Sequence, residues 1–219
     1  PLLKQIFIKG LPLILNETLF SAGLAFLNQC YSVCGLDVVP ALSISSTIYN
    51  LTAVIFRSLG ITVGILTGQM LGAGLSAEEV RDSNRKQIAL CVASGVVFGG
   101  VTALLCNSFP QIFKTTDEVR QLAGYLILIS AICMPLHAYI MPAYFTLRSG
   151  GKTFITFLFD SIFMWAIVLP VVMLLSNFTD ISIYWLFVAG NLAESVKCIF
   201  AYIFLHKIDW ARRLVADSN

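Results

Sequence analysis

Charge is scarce in this chain. Aspartate, glutamate, lysine and arginine together make up 12% of its 219 residues, where a soluble domain carries about a quarter. No polar block is long enough to form a separate soluble domain. The formal net charge is only +2, too small to imply an acidic partner. The basic residues are scattered over short segments rather than gathered on one face, so there is no nucleic-acid footprint. Nothing reads as a cleaved signal peptide. The two histidines, His137 and His206, stand alone, and neither His-Glu-x-x-His nor Gly-x-Ser-x-Gly occurs, so the usual intramembrane enzyme designs are excluded. Cys30, Cys34, Cys91, Cys106, Cys133 and Cys198 lack metal-ligand spacing and read as small buried thiols. No cofactor signature is present.

Apolar residues are abundant. They make up 58% of the chain, and mean hydropathy is +0.84. They fall into six long stretches, placed at about 6–33, 41–71, 87–109, 119–147, 153–175 and 182–205. A bilayer core takes about 20 apolar residues in helix. The stretches are continuous rather than alternating, which argues against a β-barrel. The expected fold is all-α: a polytopic membrane protein with one six-helix unit covering residues 1–219.

The connecting loops orient this unit. Lys4, Lys9, Arg81, Arg85, Lys86, Arg148, Lys152, Lys207, Arg212 and Arg213 lie on one side, and only Lys114 and Arg120 on the other. The excess places both ends in the cytoplasm, in a cell membrane. Gly35-Leu36-Asp37 and Ser149-Gly150-Gly151 are tight turns between antiparallel neighbours. Ser76-x-x-Glu79 reads as a capping box that opens a short surface helix leading into helix 3. Thr116-Asp117-Glu118 caps helix 4. Trp210, flanked by Lys207, Arg212 and Arg213, is expected to anchor the tail at the inner interface. Gly60, Gly64, Gly68 and Gly72 recur every four residues on helix 2, forming a ridge where another backbone can approach closely; Gly95 and Gly99 repeat this on helix 3. Pro12, Pro135 and Pro142 each remove a backbone donor inside a span.

The few charges inside the spans are Glu17, Arg57, Asp160, Glu194 and Lys197. Each costs about 2.5–3.5 kcal/mol at the bilayer centre on insertion scales, so all five belong to the bundle interior or an aqueous cavity. Glu17, beside Asn16, has two readings: an ion pair with Arg57, or a protonatable or cation-binding carboxylate. Burial disfavours a charged carboxylate, so the arrival or loss of a neighbouring cation switches protonation near neutral pH. Asp160 either binds a neighbouring helix or takes part in the same chemistry. Glu194 and Lys197 are three apart on helix 6 and share a face; Asn191 lies there too and would extend a polar track.

Several motifs follow one another on successive helices. They are Gly10-Leu11-Pro12 with Asn16-Glu17, Gly68-Gln69-Met70-Leu71-Gly72-Ala73-Gly74, Leu147-Arg148-Ser149-Gly150-Gly151, Asp160 with Trp165 and Pro170, and Glu194 with Lys197. In this order the chain resembles the second six-helix half of the multidrug and toxic compound extrusion (MATE) family, over essentially its whole length. The resemblance implies a lobe of a twelve-helix secondary transporter, with a missing N-terminal six-helix lobe as its partner. It implies efflux of small organic, often cationic, substrates in exchange for H⁺ or Na⁺. It also implies cation coupling at Glu17, which matches the family's first-helix acid, and a polar role for Asp160. Two departures stand out. Leu126–Leu147 has no acid where some members carry one, which shifts the reading toward H⁺, and Lys152 follows the glycine pair where an acid often stands.

The chain opens at Pro1 rather than methionine, so six further spans upstream are expected; the alternative is a small protein that pairs with itself. A lipid-linked oligosaccharide flippase of the same superfamily would want a more basic cavity. A membrane scaffold would use the same charges only to hold helices together.

Overall fold

The computed structural model describes residues 2–151, 153–179 and 181–211, without the side chains of 2–10, 12, 13, 153 and 156. The expectations that rest on the side chains of Lys4, Lys9, Pro12, Lys152, Arg212 and Arg213 lie outside the described residues. The chain runs through α1 (Leu2–Ser32), α2 (Val38–Gly72), α3 (Ala77–Leu104), a 3₁₀ turn (Phe109–Ile112) and α4 (Asp117–Ser149). It continues through α5 (153–178) and α6 (Ile183–Lys207). Among the described residues, five of these, α2 to α6, contain segments long and apolar enough to cross a membrane.

The turns have local causes. Gly35, Gly74 and Gly151 carry φ of 146°, 77° and 74°, a region closed to most other residues. Among the described residues no non-glycine has positive φ. At Ser76 the capping box forms: the Glu79 amide donates to Ser76 Oγ at 3.3 Å, and the Ser76 amide donates to Glu79 Oε2 at 3.0 Å. Two otherwise unpaired amides are satisfied at once. The expected surface helix therefore fuses with helix 3, and α3 begins at Ala77 rather than 87. It ends at Leu104 rather than 109, because the chain turns into the 3₁₀ segment around Pro110. Thr116 accepts from the Val119 amide at 3.4 Å and opens α4.

The central helix is α4, with 61% of its most apolar window buried, against 28% for α3. Glycines bring α2 and α3 against it. A Cβ added at Gly60 would lie 3.2 Å from the Pro142 nitrogen, and one at Gly64 would lie 2.9 Å from Phe145 Cβ. Ser149 Oγ donates to the Gly64 carbonyl at 2.7 Å. The four-residue ridge of α2 is therefore used at Gly60 and Gly64. It opens at Gly68, where the nearest atom is 3.9 Å away, and at Gly72, where nothing lies within 4 Å. On the other side of α4, a Cβ at Gly95 would sit 2.5 Å from Ala138 Cβ and 3.1 Å from Pro135 Cα. Overpacking of this kind costs about 1–3 kcal/mol. Gly95→Ala is accordingly expected to lower the unfolding midpoint in detergent, while Gly72→Ala leaves it unchanged; equal midpoints for the two would show that α3 and α4 are not closely packed.

One end of the bundle gathers Leu71, Val80, Leu147, Trp210 and Ala211 into a core cluster. Trp210 is part of this core rather than an anchor facing lipid headgroups: it packs on Gly150, and its indole Nε1 donates to the Leu205 carbonyl at 2.9 Å. The reason is the glycine: a Cβ at position 150 would meet the Trp210 carbonyl oxygen at 2.6 Å and its Cβ at 3.0 Å. Arg81, Arg85, Arg148 and Lys207 flank the same end by their positions on α3, α4 and α6. All six cysteines are free thiols.

Two helices are irregular at charged residues. In α5, π-helical turns at Leu158–Ile162 and Met164–Val168 precede Pro170, and Asp160 lies in the first of them. Pro170 has no N–H to give to the carbonyl four residues earlier, and π turns often coincide with functional sites. In α6, the helix is interrupted at Val196, between Glu194 and Lys197. Ser195 Oγ donates back to the Asn191 carbonyl at 2.7 Å, a bond that bends helices.

Candidate functional site

The irregular turns of α5 and α6 meet inside the bundle around Lys197, which is 2% exposed. Its ammonium nitrogen lies 3.5 Å from Glu194 Oε1 and 3.7 Å from Asp160 Oδ1. The rings of Phe20 and Phe163 flank it, with centroids 5.3 and 5.7 Å away. An ammonium over two ring faces in a dry site is held electrostatically. The expected pairing of Glu194 with Lys197 is present, and Asp160 joins it from α5.

The cluster extends in both directions. Toward α1, the Asn16 amide donates to Asp160 Oδ2 at 3.3 Å and to the Tyr144 hydroxyl at 3.4 Å. Ser161 Oγ lies 2.6 Å from Asn16 Oδ1 and 2.9 Å from its backbone carbonyl. Asn16 is thus fully engaged and only 4% exposed. Toward α2, Glu194 Oε2 lies 3.9 Å from His137 Nε2, and His137 Nδ1 lies 2.9 Å from the Tyr49 hydroxyl. A proton on Nε2, facing the carboxylate, leaves Nδ1 to accept from Tyr49. Nε2 is buried without a hydrogen-bond partner, which is costly unless charge compensates it. A polar chain therefore runs from Tyr49 through His137, Glu194, Lys197, Asp160 and Asn16 to Tyr144. It is built from five helices, α3 being absent from it.

With His137 neutral, two carboxylates face one ammonium. With both carboxylates ionised, the site would hold one uncompensated negative charge inside the bundle, where such a charge is expensive. Taking up one proton, at a carboxylate or at His137, removes the imbalance. Both Asp160 oxygens already face donors, Asn16 and Lys197, which leaves no open cage of oxygen ligands of the kind a metal cation needs. Among the described residues no group of three or more His, Cys, Asp and Glu is placed to hold a metal ion.

Two sequence expectations change here, and four further residues join the site. Glu17 and Arg57 are both exposed, and among the described residues neither makes an ion pair, so of the two readings of Glu17 the pairing with Arg57 is not formed. The reason is angular: neighbours on a helix point about 100° apart, and Asn16 takes the inward position. Asn191 donates to the Phe187 carbonyl of its own helix at 2.9 Å and adds nothing to the polar chain. His137, Tyr49, Tyr144 and Ser161 are members that sequence reasoning missed. The one legible signal was the spacing of His137 and Tyr144, seven residues and two turns apart on one face of α4.

The family model described as MatE matches residues 12–179. The "Probable multidrug resistance protein YoeA" of Bacillus subtilis is 24% identical over 216 residues, covering 94% of this chain and 44% of the relative. The "Probable multidrug resistance protein NorM" of Halalkalibacterium halodurans is 24% identical over 225 residues, covering 99% and 48%. The chain thus spans about half the length of the curated relatives it matches. Among solved structures, a MATE protein in complex with MaL6 superposes with a TM-score of 0.81 at 14% identity, over 93% of this chain and 46% of that one. A MOP superfamily transporter from Pyrococcus furiosus gives 0.76 at 13% identity, over 93% and 44%. With helices of this length and hydropathy, and a family match over most of its residues, the chain is a membrane protein that belongs to the MatE family.

Proposed function

We propose that the chain is one six-helix lobe of a twelve-helix secondary transporter that expels organic, often cationic, compounds in exchange for H⁺, with the Asp160–Lys197–Glu194 cluster and Glu17 as the coupling site. Its lobes are parallel repeats about an axis along the membrane normal, and both ends of this lobe face the cytoplasm. The reading rests on one observation: two half-buried carboxylates face the buried Lys197, one more than its single ammonium balances. An organic cation near this charge is favoured when the site is deprotonated, and a proton on a carboxylate oxygen removes the attraction. Cation and proton therefore exclude one another, which is what exchange requires.

Glu17 supplies the approach. Facing lipid at mid-depth, its carboxylate would cost about 2.5–3.5 kcal/mol. Its exposed face accordingly borders water or the other lobe. Carrying a proton there, it stands one residue from Asn16, whose amide donates to Asp160. The printed names of the relatives, which concern multidrug resistance and toxin extrusion, support the substrate class. The donors already on both Asp160 oxygens favour H⁺ over Na⁺.

Glu17→Gln in the intact transporter is expected to slow export of a fluorescent cation severalfold under an imposed pH gradient while leaving folded yield unchanged, because among the described residues this side chain makes no ion pair or hydrogen bond. Undiminished export would remove Glu17 from the coupling site. An equal response to an imposed Na⁺ gradient at constant pH would replace H⁺ by Na⁺.

A further inference from the structure

At the end of the bundle opposite Lys114 and Arg120, a cavity of about 420 Å³ opens between α3, α4 and α6. It is lined by Arg81, Arg85, Ile88, Tyr139, His206 and Trp210, among others. Its walls change character with depth. Arg81 and Arg85 are four apart on α3 and share a face. Ile88 follows seven residues from Arg81, about 10 Å further along the helix axis, and Tyr139 lies on α4 ten residues before its end. Cations thus stand at the mouth and apolar and aromatic surface lies toward the membrane interior.

We propose that this cavity binds an anionic glycerophospholipid, its phosphate between Arg81, Arg85 and His206 and the start of an acyl chain against Ile88 and Tyr139. Charge complementarity selects the ligand. Arg81 is partly neutralised by Asp209 at 3.2 Å in an exposed pair, but Arg85 makes no ion pair among the described residues. A planar guanidinium at a bilayer interface matches phosphate with paired N–H donors. His206 already donates Nδ1–H to the Tyr202 carbonyl at 2.9 Å and stacks on the Tyr202 ring, with centroids 4.1 Å apart. Its ring is held in place; with Nδ1 donating, Nε2 donates to a phosphate oxygen in the imidazolium form, in which it adds a third cation. Basic pockets between membrane helices on the cytoplasmic side are where anionic headgroups bind, and the proposed orientation puts this mouth on that side. The cavity is separate from the Lys197 cluster, so its occupancy does not depend on the coupling reading.

The test uses the intact protein in nanodiscs and by native mass spectrometry. Phosphatidylglycerol is expected to be retained in preference to phosphatidylcholine and to raise the unfolding midpoint. Arg85→Gln is expected to weaken that retention about fivefold, the worth of one basic side chain at a lipid surface. Arg81→Gln,Arg85→Gln together weakens it further, and Lys114→Gln, at the other end, has no effect. Arg85→Lys serves as the folding control, keeping the charge and part of the retention. Equal retention of both lipids, no loss in the double variant, or the same stabilisation by inorganic phosphate or glycerol 3-phosphate alone would each overturn the proposal.

Discussion

Lys197→Met is expected to cost the folded protein about 3–5 kcal/mol, the usual penalty for removing one partner of a buried ion pair. Methionine nearly preserves the volume, so packing changes little. What changes is electrostatic: Asp160 and Glu194, with side chains 20% and 26% exposed, lose the ammonium 3.7 and 3.5 Å away and are left half-buried with no cation between them. The expected results are a sharply lower unfolding midpoint and a lower yield of monodisperse protein. Adding Asp160→Asn and Glu194→Gln to Lys197→Met removes the stranded charges and is expected to recover most of the stability, because neutral replacements of a whole buried network are often tolerated. Full stability in Lys197→Met alone would mean that the carboxylates reach water and that the cluster is not enclosed as the structure places it.

Asp160→Asn is expected to do the opposite: to fold well and fail to couple. The amide is nearly isosteric, retains an oxygen acceptor, and leaves Lys197 its bond to Glu194. It cannot take up and release a proton. Coupling between linked sites is typically worth about 1–3 kcal/mol, or about 5–150-fold. Gradient-driven accumulation is therefore expected to fall by a factor in that range, while binding of the organic cation without a gradient falls less. Export by the unaltered protein should follow the imposed pH difference, and export by Asp160→Asn should be insensitive to it. Retained pH-driven export would assign coupling to Glu194, His137 or Glu17 instead.

How much of this was legible in the sequence depends on what kind of information each residue carries. Helical spans and their turns are local: Ser76-x-x-Glu79 specified its own cap, and Gly35 and Gly151 specified turns of positive φ. The pair of Glu194 and Lys197 is also local, since both lie on one turn of one helix. Asp160 reaching Lys197 is not local. It requires that α5 and α6 present their irregular turns to each other, and apolar periodicity does not rank partners in a bundle whose helices are all apolar. The same gap explains why the Glu17–Arg57 pair, one of two readings of Glu17, does not form. Asn16 and Glu17 are adjacent, one faces inward and the other outward, and hydropathy alone treats both as polar. His137 looked inert because it lacks a metal motif. Its role arises from Tyr49 and Glu194, 88 and 57 positions away in the chain, as read from the numbering.

The small-residue surfaces show a middle case. Four-residue glycine spacing on α2 indicated a close approach, but only Gly60 and Gly64 meet α4, where Pro142 and Phe145 stand. Spacing marks a face along which a backbone can approach. How far the approach extends depends on where the two axes diverge, and that is set by the rest of the bundle.

The most direct test of the central claim is proton release on substrate binding. Calorimetric titration of an organic cation into the intact transporter, repeated in buffers of different ionisation enthalpy, measures it. The account predicts that binding releases a proton from the unaltered protein and markedly less from the Asp160→Asn,Glu194→Gln double variant, in which Glu17 remains. Identical release from both, or none from either, would contradict it.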